Sequence, residues 1–325
     1  MLMRVLITGG SGFIGTNIVE ELAERKDNVA NLDIRPPRLL AHAGFWKEVS
    51  LLDRDATRRL VEEFQPDYVI HAAARADLRG HSLSDYALNT VGTSNLIDSL
   101  KYADSVKRTL IISTMLVCRN GYSPHSETEY CANTLYGASK VQMEEMVRKR
   151  MGSGLLDFVI VRPTSIWGPW FAEPYRQFFE AIVRGVYFHP GIAPVKKQFG
   201  YVGNVVDQIL TLMTAQQSEI SERVFYVGDY SAYVVRDWAD LIQRELGASG
   251  IRTMPLSVLR PVAAVGDLLV RLGWNRAPLT SFRLSNMLLD NSLPFDNTAR
   301  VCGPLRCSVA EGVRKTVAWL REQTA

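Results

Sequence analysis

Gly9, Gly12 and Gly15 fall in the run Thr8-Gly9-Gly10-Ser11-Gly12-Phe13-Ile14-Gly15, directly after the apolar segment Arg4-Val5-Leu6-Ile7 and directly before the helix-like stretch Thr16 to Arg25. A strand that turns this sharply into a helix needs glycine at the turn, here Gly9. A second glycine, Gly12, leaves the backbone open to a pyrophosphate, and a third, Gly15, lets the helix pack closely on the strand. The helix N-terminus then offers N–H groups and the positive end of its dipole to the phosphates. Eighteen residues after Gly15 the next apolar run, Val29-Ala30-Asn31-Leu32, ends on Asp33, where a carboxylate receives the ribose hydroxyls of an adenosine. The implied ligand is NAD rather than NADP, because a 2′-phosphate beside Asp33 would meet like charge. Arg35, two residues on, is the group that could receive such a phosphate.

Strand-like and helix-like segments alternate through the first half of the chain. Strands are expected at Arg4 to Thr8, Asn28 to Asp33, Tyr68 to His71, Thr109 to Ser113 and Phe158 to Arg162. Helices are expected from the glycine run to Arg25, near Asp55 to Phe64, as one long element from about Ser82 to Tyr102, and from about Leu135 to Met151. The strands are continuously apolar rather than alternating, which predicts an α/β fold: a Rossmann-type, doubly wound parallel sheet covered on both faces. Beyond Arg162-Pro163 prolines and glycines are spaced among aromatic residues, a composition of loops lying over the carboxyl ends of the strands. The chain is expected back at the sheet over Tyr201 to Ala215 and Val224 to Val227, and then in a small helical lobe from Val235 onward. On this basis residues 1–165, rejoined by about 199–230, form the dinucleotide-binding domain. Residues 166–198 and 231–325 form a smaller, mostly helical substrate-binding lobe.

Composition narrows the function classes. Lys plus Arg number 37 against 34 for Asp plus Glu, a net charge of +3 that gives no reason to expect nucleic acid or a membrane surface as a partner. The four cysteines, Cys118, Cys131, Cys302 and Cys307, lack C-x-x-C spacing and a companion His cluster, so no metal site is expected and they read as reduced thiols of a cytoplasmic protein. The first strand starts too near Met1 to leave room for a signal peptide. The most membrane-like segment, Leu256 to Leu272, is interrupted by Arg260, Asp267 and Arg271 and falls short of the roughly 18 uncharged apolar residues of a span. It reads as a buried or half-buried helix, or alternatively as an interfacial one.

Tyr136-Gly137-Ala138-Ser139-Lys140 places a phenol and an ammonium four residues apart, on one face of a helix. A nearby cation favours phenolate, so Lys140 is expected to lower the Tyr136 pKa toward working pH, where the phenol can exchange a proton with a substrate hydroxyl or carbonyl. Tyr and Lys at this spacing are also common surface residues; the glycine run upstream gives the pair its chemical meaning. Ser113-Thr114 closes the strand beginning at Thr109, at the sheet edge where α/β proteins bind ligands, and a hydroxyl there can hold the reacting oxygen beside Tyr136.

With these motifs the chain resembles the extended short-chain dehydrogenase/reductase family, in its NAD-dependent sugar epimerase and dehydratase group. Besides the glycine run and Tyr136 to Lys140, His71-Ala72-Ala73-Ala74, Asn89 to Leu96 and Arg162-Pro163-Thr164-Ser165-Ile166-Trp167-Gly168-Pro169 match segments of that family. The resemblance implies that Tyr136 is the acid/base, that Lys140 holds the nicotinamide ribose, and that Thr114 rather than Ser113 binds the reacting oxygen. It implies a cofactor cleft lined by Phe13, Ile14, Leu52, Ala72, Ala73 and Ala74, with Ser113, Pro163 and Ile166 at the nicotinamide. Asn89 borders this cleft as an architectural residue, and His71 is expected to be a satisfied structural histidine. Arg75, Met115 and Trp167 are implied at the substrate, with Lys197 and Arg283 as candidate diphosphate contacts. Lys197 replaces the family's usual arginine and gives phosphate a point charge without a bidentate fork.

Two departures bear on the reaction. The Asp-Glu pair that performs elimination in the family's 4,6-dehydratases is here Met115-Leu116, which disfavours dehydration. Cys118-Arg119-Asn120 replaces the usual loop that follows. The resemblance thus implies an enzyme that moves hydride at a carbinol carbon of a nucleoside-diphosphate sugar, as an epimerase or a 4-keto reductase, and a homodimer paired through the helices near Ser82 to Tyr102 and Leu135 to Met151. The alternative is an oxidoreductase for bulky apolar alcohols, similar to the 3β-hydroxysteroid dehydrogenases, with Trp167, Trp170, Phe171, Phe178, Phe179 and Tyr187 as an apolar wall. A catalytically idle NAD-binding regulator is disfavoured by the presence together of Thr114, Tyr136 and Lys140.

Overall fold

Short runs rich in Val, Ile and Leu make the strands, and longer runs make the helices between them. The computed structural model describes residues 2–151, 156–220, 223–274, 277 and 279–323. The first half runs β1 (Arg4–Thr8), α1 (Phe13–Glu24), β2 (Asn28–Asp33), β3 (Trp46–Glu48), α2 (Arg54–Phe64), β4 (Tyr68–His71), α3 (Thr93–Ser99), β5 (Arg108–Ile112), α4 (Leu135–Met151) and β6 (Phe158–Pro163). Then follow β7 (Ser165–Trp167), α5 (Tyr175–Val183), β8 (Phe188–Pro190), β9 (Lys196–Lys197), β10 (Phe199–Tyr201), α6 (Val202–Thr214) and β11 (Val224–Val227). The chain closes with β12 (Tyr233–Val234), α7 (Val235–Leu246), β13 (Arg252–Met254), α8 (Leu256–Arg271), α9 (Ser281–Leu288), α10 (Asp296–Cys302) and α11 (Val309–Glu322).

Seven strands form one parallel sheet in the order β3-β2-β1-β4-β5-β6-β11. The winding direction reverses between β1 and β4, and the carboxyl ends of these two strands open the crevice in which such sheets bind ligands. The doubly wound expectation therefore holds. The edge strand β3 had no apolar run to announce it: it has three residues, none of them buried, and is tied down by the Trp46 indole N–H donating to the Asp33 carbonyl (2.9 Å).

The expected single helix from Ser82 to Tyr102 is instead a chain of turns. A 3₁₀ turn at Leu83–Tyr86, capped reciprocally by Ser82 and Asp85, leads to a π-helical turn at Leu88–Gly92, then α3, then a closing 3₁₀ turn at Leu100–Tyr102. The wide turn lets the buried Asn89 amide leave the helix. It accepts from Arg75 N (2.8 Å) and donates to Arg75 O (3.0 Å) and Ser139 Oγ (2.9 Å), fastening the β4 loop to α4.

One core joins the sheet to the C-terminal helices. Trp167 is fully buried at its centre, with the rings of Phe179, Tyr201, Tyr233 and Trp238 packed 5.3–6.3 Å away. Trp319 of α11 lies edge-on to Trp170 and Phe171. Asn204 of α6 clasps the backbone of Cys307 by two hydrogen bonds of 2.9 and 3.0 Å. The C-terminal segment thus packs directly on the helices that cover the sheet. A separate small core lies between α8 and α9, around Leu259, Ala263 and Leu284.

Candidate functional site

The glycine run forms a cradle whose shape the backbone enforces. Gly9 has φ +76° and lies so close to β4 that an added Cβ would stand 2.6 Å from Ala73 Cα. At Gly15 a Cβ would stand 2.1 Å from the Gly9 carbonyl oxygen, so the helix can approach the strand only as glycine. At Gly12 the protein's own sterics are milder: a Cβ would meet Gly9 O alone, at 3.1 Å. Gly12 is also the N-cap of α1, and no side chain caps the helix there. A bare helix start beneath an open glycine face suits a pyrophosphate.

Asp33 ends β2 beside this cradle. Its buried carboxylate accepts from Ser11 N (3.1 Å) and Arg35 N (3.0 Å), which leaves further lone pairs for hydroxyl donors. Arg35 is exposed, with Nε 3.9 Å from Asp33 Oδ1. Arg38, which the sequence reading passed over, spans the cradle: Nε donates to Ser11 O (3.1 Å) and a terminal nitrogen to Trp170 O (2.6 Å). Only the fold brings residues 11, 38 and 170 together, so no spacing in the chain signalled it. Leu52 is half exposed in the turn before α2, Ala72 to Ala74 follow β4 and are half-buried, and Phe13 and Ile14 open α1.

His71 closes β4 and is completely buried. The Thr93 hydroxyl donates to Asn89 O (2.8 Å), so His71 Nε2–H donates to Thr93 Oγ1 (2.8 Å) and Nδ1 accepts from the Thr8 hydroxyl (2.7 Å). Burial, with Lys140 nearby, pushes its pKa down to about 3. It is neutral and fully partnered, as expected of a structural histidine.

Tyr136 and Thr114 come together at the carboxyl end of β5. The Thr114 hydroxyl draws the phenol's pKa down and also caps the turn at Met115–Val117, accepting from Leu116 N (3.1 Å). Lys140, one helical turn along α4, is almost wholly buried and donates to Ile112 O (2.8 Å). Here one expectation is corrected. Burial pushes the Tyr136 phenol up to about 12, only partly countered by Thr114, and Lys140 does not bring it down. The lysine itself is lowered to about 8, because its own desolvation outweighs the attraction of Glu144.

Ser113 faces the other way, into a network the sequence reading missed. Its hydroxyl donates to Glu144 Oε1 (2.5 Å); Arg162 donates to both Glu144 oxygens (2.9 and 2.6 Å) and to Tyr226 OH (3.0 Å); Tyr130 OH donates to Glu144 Oε2 (3.1 Å). Glu144 and Arg162 are both wholly buried. Four residues beyond Lys140, Glu144 ties α4 to β5, β6 and β11. Its position at the next turn of the Tyr-Lys face was the available signal.

The expected substrate residues are more scattered. Trp167 belongs to the core and faces no cleft, so its expected contact with substrate is corrected. Phe171 and Phe179 are buried in the same cluster and cannot form an open apolar wall, because their faces are spent on Trp319 and Trp238. Arg75 pairs with Asp77 (2.9 Å) and lies over the Tyr86 ring. Lys197 donates to Asn286 O (2.7 Å) and Leu289 O (3.1 Å), neutralising the C-terminal end of α9, and Arg283 stands in the first turn of that helix with its guanidinium on Ala277 O (2.7 Å). Met115 lies beside Thr114 beneath a cover: its sulfur meets Thr164 Oγ1 (3.5 Å) and Asn291 Nδ2 (3.7 Å). Pro163 ends β6, and Ile166 packs on Gly200.

The model of the NAD dependent epimerase/dehydratase family matches residues 5–228. A 3 beta-hydroxysteroid dehydrogenase/Delta 5-->4-isomerase of Mycobacterium tuberculosis is 31% identical over 197 residues, 57% of this chain and 52% of that protein, so the chain spans about half the length of that relative. A UDP-glucose 4-epimerase of Vibrio cholerae is 25% identical over 344 aligned positions that cover all of this chain and 92% of that one. The solved UDP-glucose 4-epimerase of Thermotoga maritima with UDP-glucose superposes with a TM-score of 0.76 at 22% identity, covering 99% of this chain and 100% of that one. The Thermus thermophilus UDP-glucose 4-epimerase in complex with NAD superposes at 0.73 with 23% identity, over 98% and 99% of the two chains. Identities of this size speak for a shared fold.

Proposed function

The chain belongs to the NAD-dependent epimerase/dehydratase family, and from that premise we propose that it is an epimerase or oxidoreductase acting on a nucleoside-diphosphate sugar, with Tyr136 as its acid/base. The observation that carries this reading is the Tyr136–Thr114 pair, backed by Lys140 and set across the crevice from a glycine cradle whose open face suits a pyrophosphate. Bound NAD supplies the hydride acceptor and donor for a carbinol carbon. Thr114 holds the reacting oxygen, and Tyr136 takes its proton and returns it. A phenol at about 12 favours the protonated form, so Lys140, the cation within a helical turn, is the group that must favour phenolate in the working complex. Lys197 and Arg283 are the proposed phosphate contacts, reached when Lys197 exchanges its α9 carbonyls for a diphosphate.

Met115 and Leu116 hold no transferable proton where elimination needs an acid and a base, so dehydration is excluded from the proposal. Between epimerase and 4-keto reductase the proposal favours the epimerase, which keeps its cofactor through a closed cycle. The apolar-alcohol reading is favoured by the mycobacterial relative's identity but loses half of its expected wall, because Trp167, Phe171 and Phe179 are buried in the core. One experiment decides: mass spectrometry of the cofactor released on denaturation, followed by incubation with UDP-, GDP- and dTDP-hexoses. Resident NAD and interconversion of a hexose pair without net NADH consumption is the expected result. Stoichiometric NADH oxidation would establish the reductase, and oxidation of a sterol with no activity on any sugar nucleotide would overturn the substrate class.

A further inference from the structure

Helix α8 is amphipathic in an unusual sense: it carries apolar residues on its outward side as well as its inward one. Leu259, Ala263 and Gly266 are buried against α9, with Gly266 so close that a Cβ would stand 1.8 Å from Leu279 O. At 100° per residue, Val258, Val262, Val265, Leu268 and Leu272 form a second stripe, and these are 45%, 49%, 57%, 55% and 75% exposed. Trp274, just past the helix, and Phe282, at the start of α9, are exposed as well, at 50% and 73%. A contiguous apolar patch left in water calls for a partner.

Charge identifies the partner. Between residues 247 and 289 the sequence holds five arginines and a single acidic residue, Asp267, in a chain whose whole net charge is only +3. Arg260 and Arg271 are exposed and, eleven residues apart, follow one edge of α8 beside the apolar stripe. Asp267 is turned to α9, where its carboxylate accepts from Ser281 N (3.0 Å). The face therefore presents aliphatic side chains, two exposed aromatic residues and the guanidinium groups of Arg260 and Arg271, with Asp267, which is attracted to Arg271, the one carboxylate on the helix. No helix among the described residues is long and apolar enough to cross a membrane; an apolar stripe beside arginines suits a helix lying in the plane of a surface.

We propose that the outward face of α8, with Trp274 and Phe282, docks on an anionic lipid surface, the apolar stripe entering the headgroup boundary while the arginines meet lipid phosphates. The docked lobe adjoins the catalytic edge of the sheet. Leu289, just after α9, packs on Gly121, and Asn291 reaches Met115 beside Thr114.

The test is co-sedimentation of the full chain with phosphatidylcholine vesicles, with and without phosphatidylglycerol, at low and high salt. Expected is binding to the phosphatidylglycerol vesicles that weakens with salt, and that falls by roughly tenfold or more in the double variants Val265→Asp/Leu268→Asp and Arg260→Glu/Arg271→Glu. All four positions are exposed, so unchanged thermal midpoints and circular dichroism are expected to accompany the loss. Absence of binding to either vesicle overturns the proposal, as does equal binding to both. If Val265→Asp/Leu268→Asp changes the oligomeric state in vesicle-free buffer, a second copy covers this face and the proposal is overturned. None of these readouts depends on turnover.

Discussion

At the scale of single residues, burial governs titration at this site more than neighbouring charge does. Burial pushes Tyr136 up to about 12 although Lys140 lies one helical turn away. Tyr136→Phe is expected to lower turnover by about 10² to 10⁴ while cofactor content measured by mass spectrometry stays near that of the parent. Lys140→Ala is expected to reduce both, and near-normal turnover in the Phe variant would refute the assignment. His71 gives a pH signature. Its folded pKa of about 3 lies below the unfolded value, so the unfolded chain binds the extra proton as pH falls below the ordinary histidine range. Stability from this residue is then lost progressively toward pH 3, by on the order of 1 kcal/mol per pH unit. Urea denaturation of the parent and of His71→Asn at pH 7 and pH 5 checks this: the difference between them should shrink at the lower pH, and parallel losses would show that His71 does not titrate this way. Asp33 predicts NAD bound in preference to NADP. Equal affinity in calorimetry would shift the adenosine contact to Arg35.

At the scale of elements, α4 carries two layers of function. Its first turns bring Tyr136 and Lys140 to the sheet edge, and the following turn drives Glu144 into Arg162 on β6. Both charges are fully buried, so removing one partner strands the other. Arg162→Met is expected to cost about 3–5 kcal/mol in urea denaturation, and the double variant with Glu144→Met to recover a substantial part of that loss. A loss below about 1 kcal/mol for the single change would mean that Ser113 and Tyr130 alone satisfy the carboxylate. Helix α4 could be read from the sequence with its full extent, Leu135 to Met151, whereas the segment Ser82 to Tyr102 could not. Asn89, Thr93 and Ser82 place hydrogen bonds outside the helical ladder there, and a periodicity of apolar residues does not register where polar side chains leave the helix.

At the scale of the whole molecule, a homodimer is expected through the segments Ser82 to Tyr102 and Leu135 to Met151, where Leu83, Val91 and Leu135 are 38%, 51% and 36% exposed. Sedimentation velocity at micromolar concentration should return the dimer; a monomer would leave that surface without its assigned partner. The amino-acid sequence by itself determined the parallel sheet, the cradle at Gly9, Gly12 and Gly15, and the Tyr136–Lys140 face, because each rests on local backbone geometry or on helical spacing within a few residues. Only the tertiary structure decided that Trp167 is core rather than pocket, that Lys197 caps α9, that Arg38 bridges residues 11 and 170, and that Glu144 meets Arg162. These contacts join positions far apart in the chain, and desolvation, which turns the expected lowering of the Tyr136 pKa into a rise, exists only once surrounding elements have removed the water.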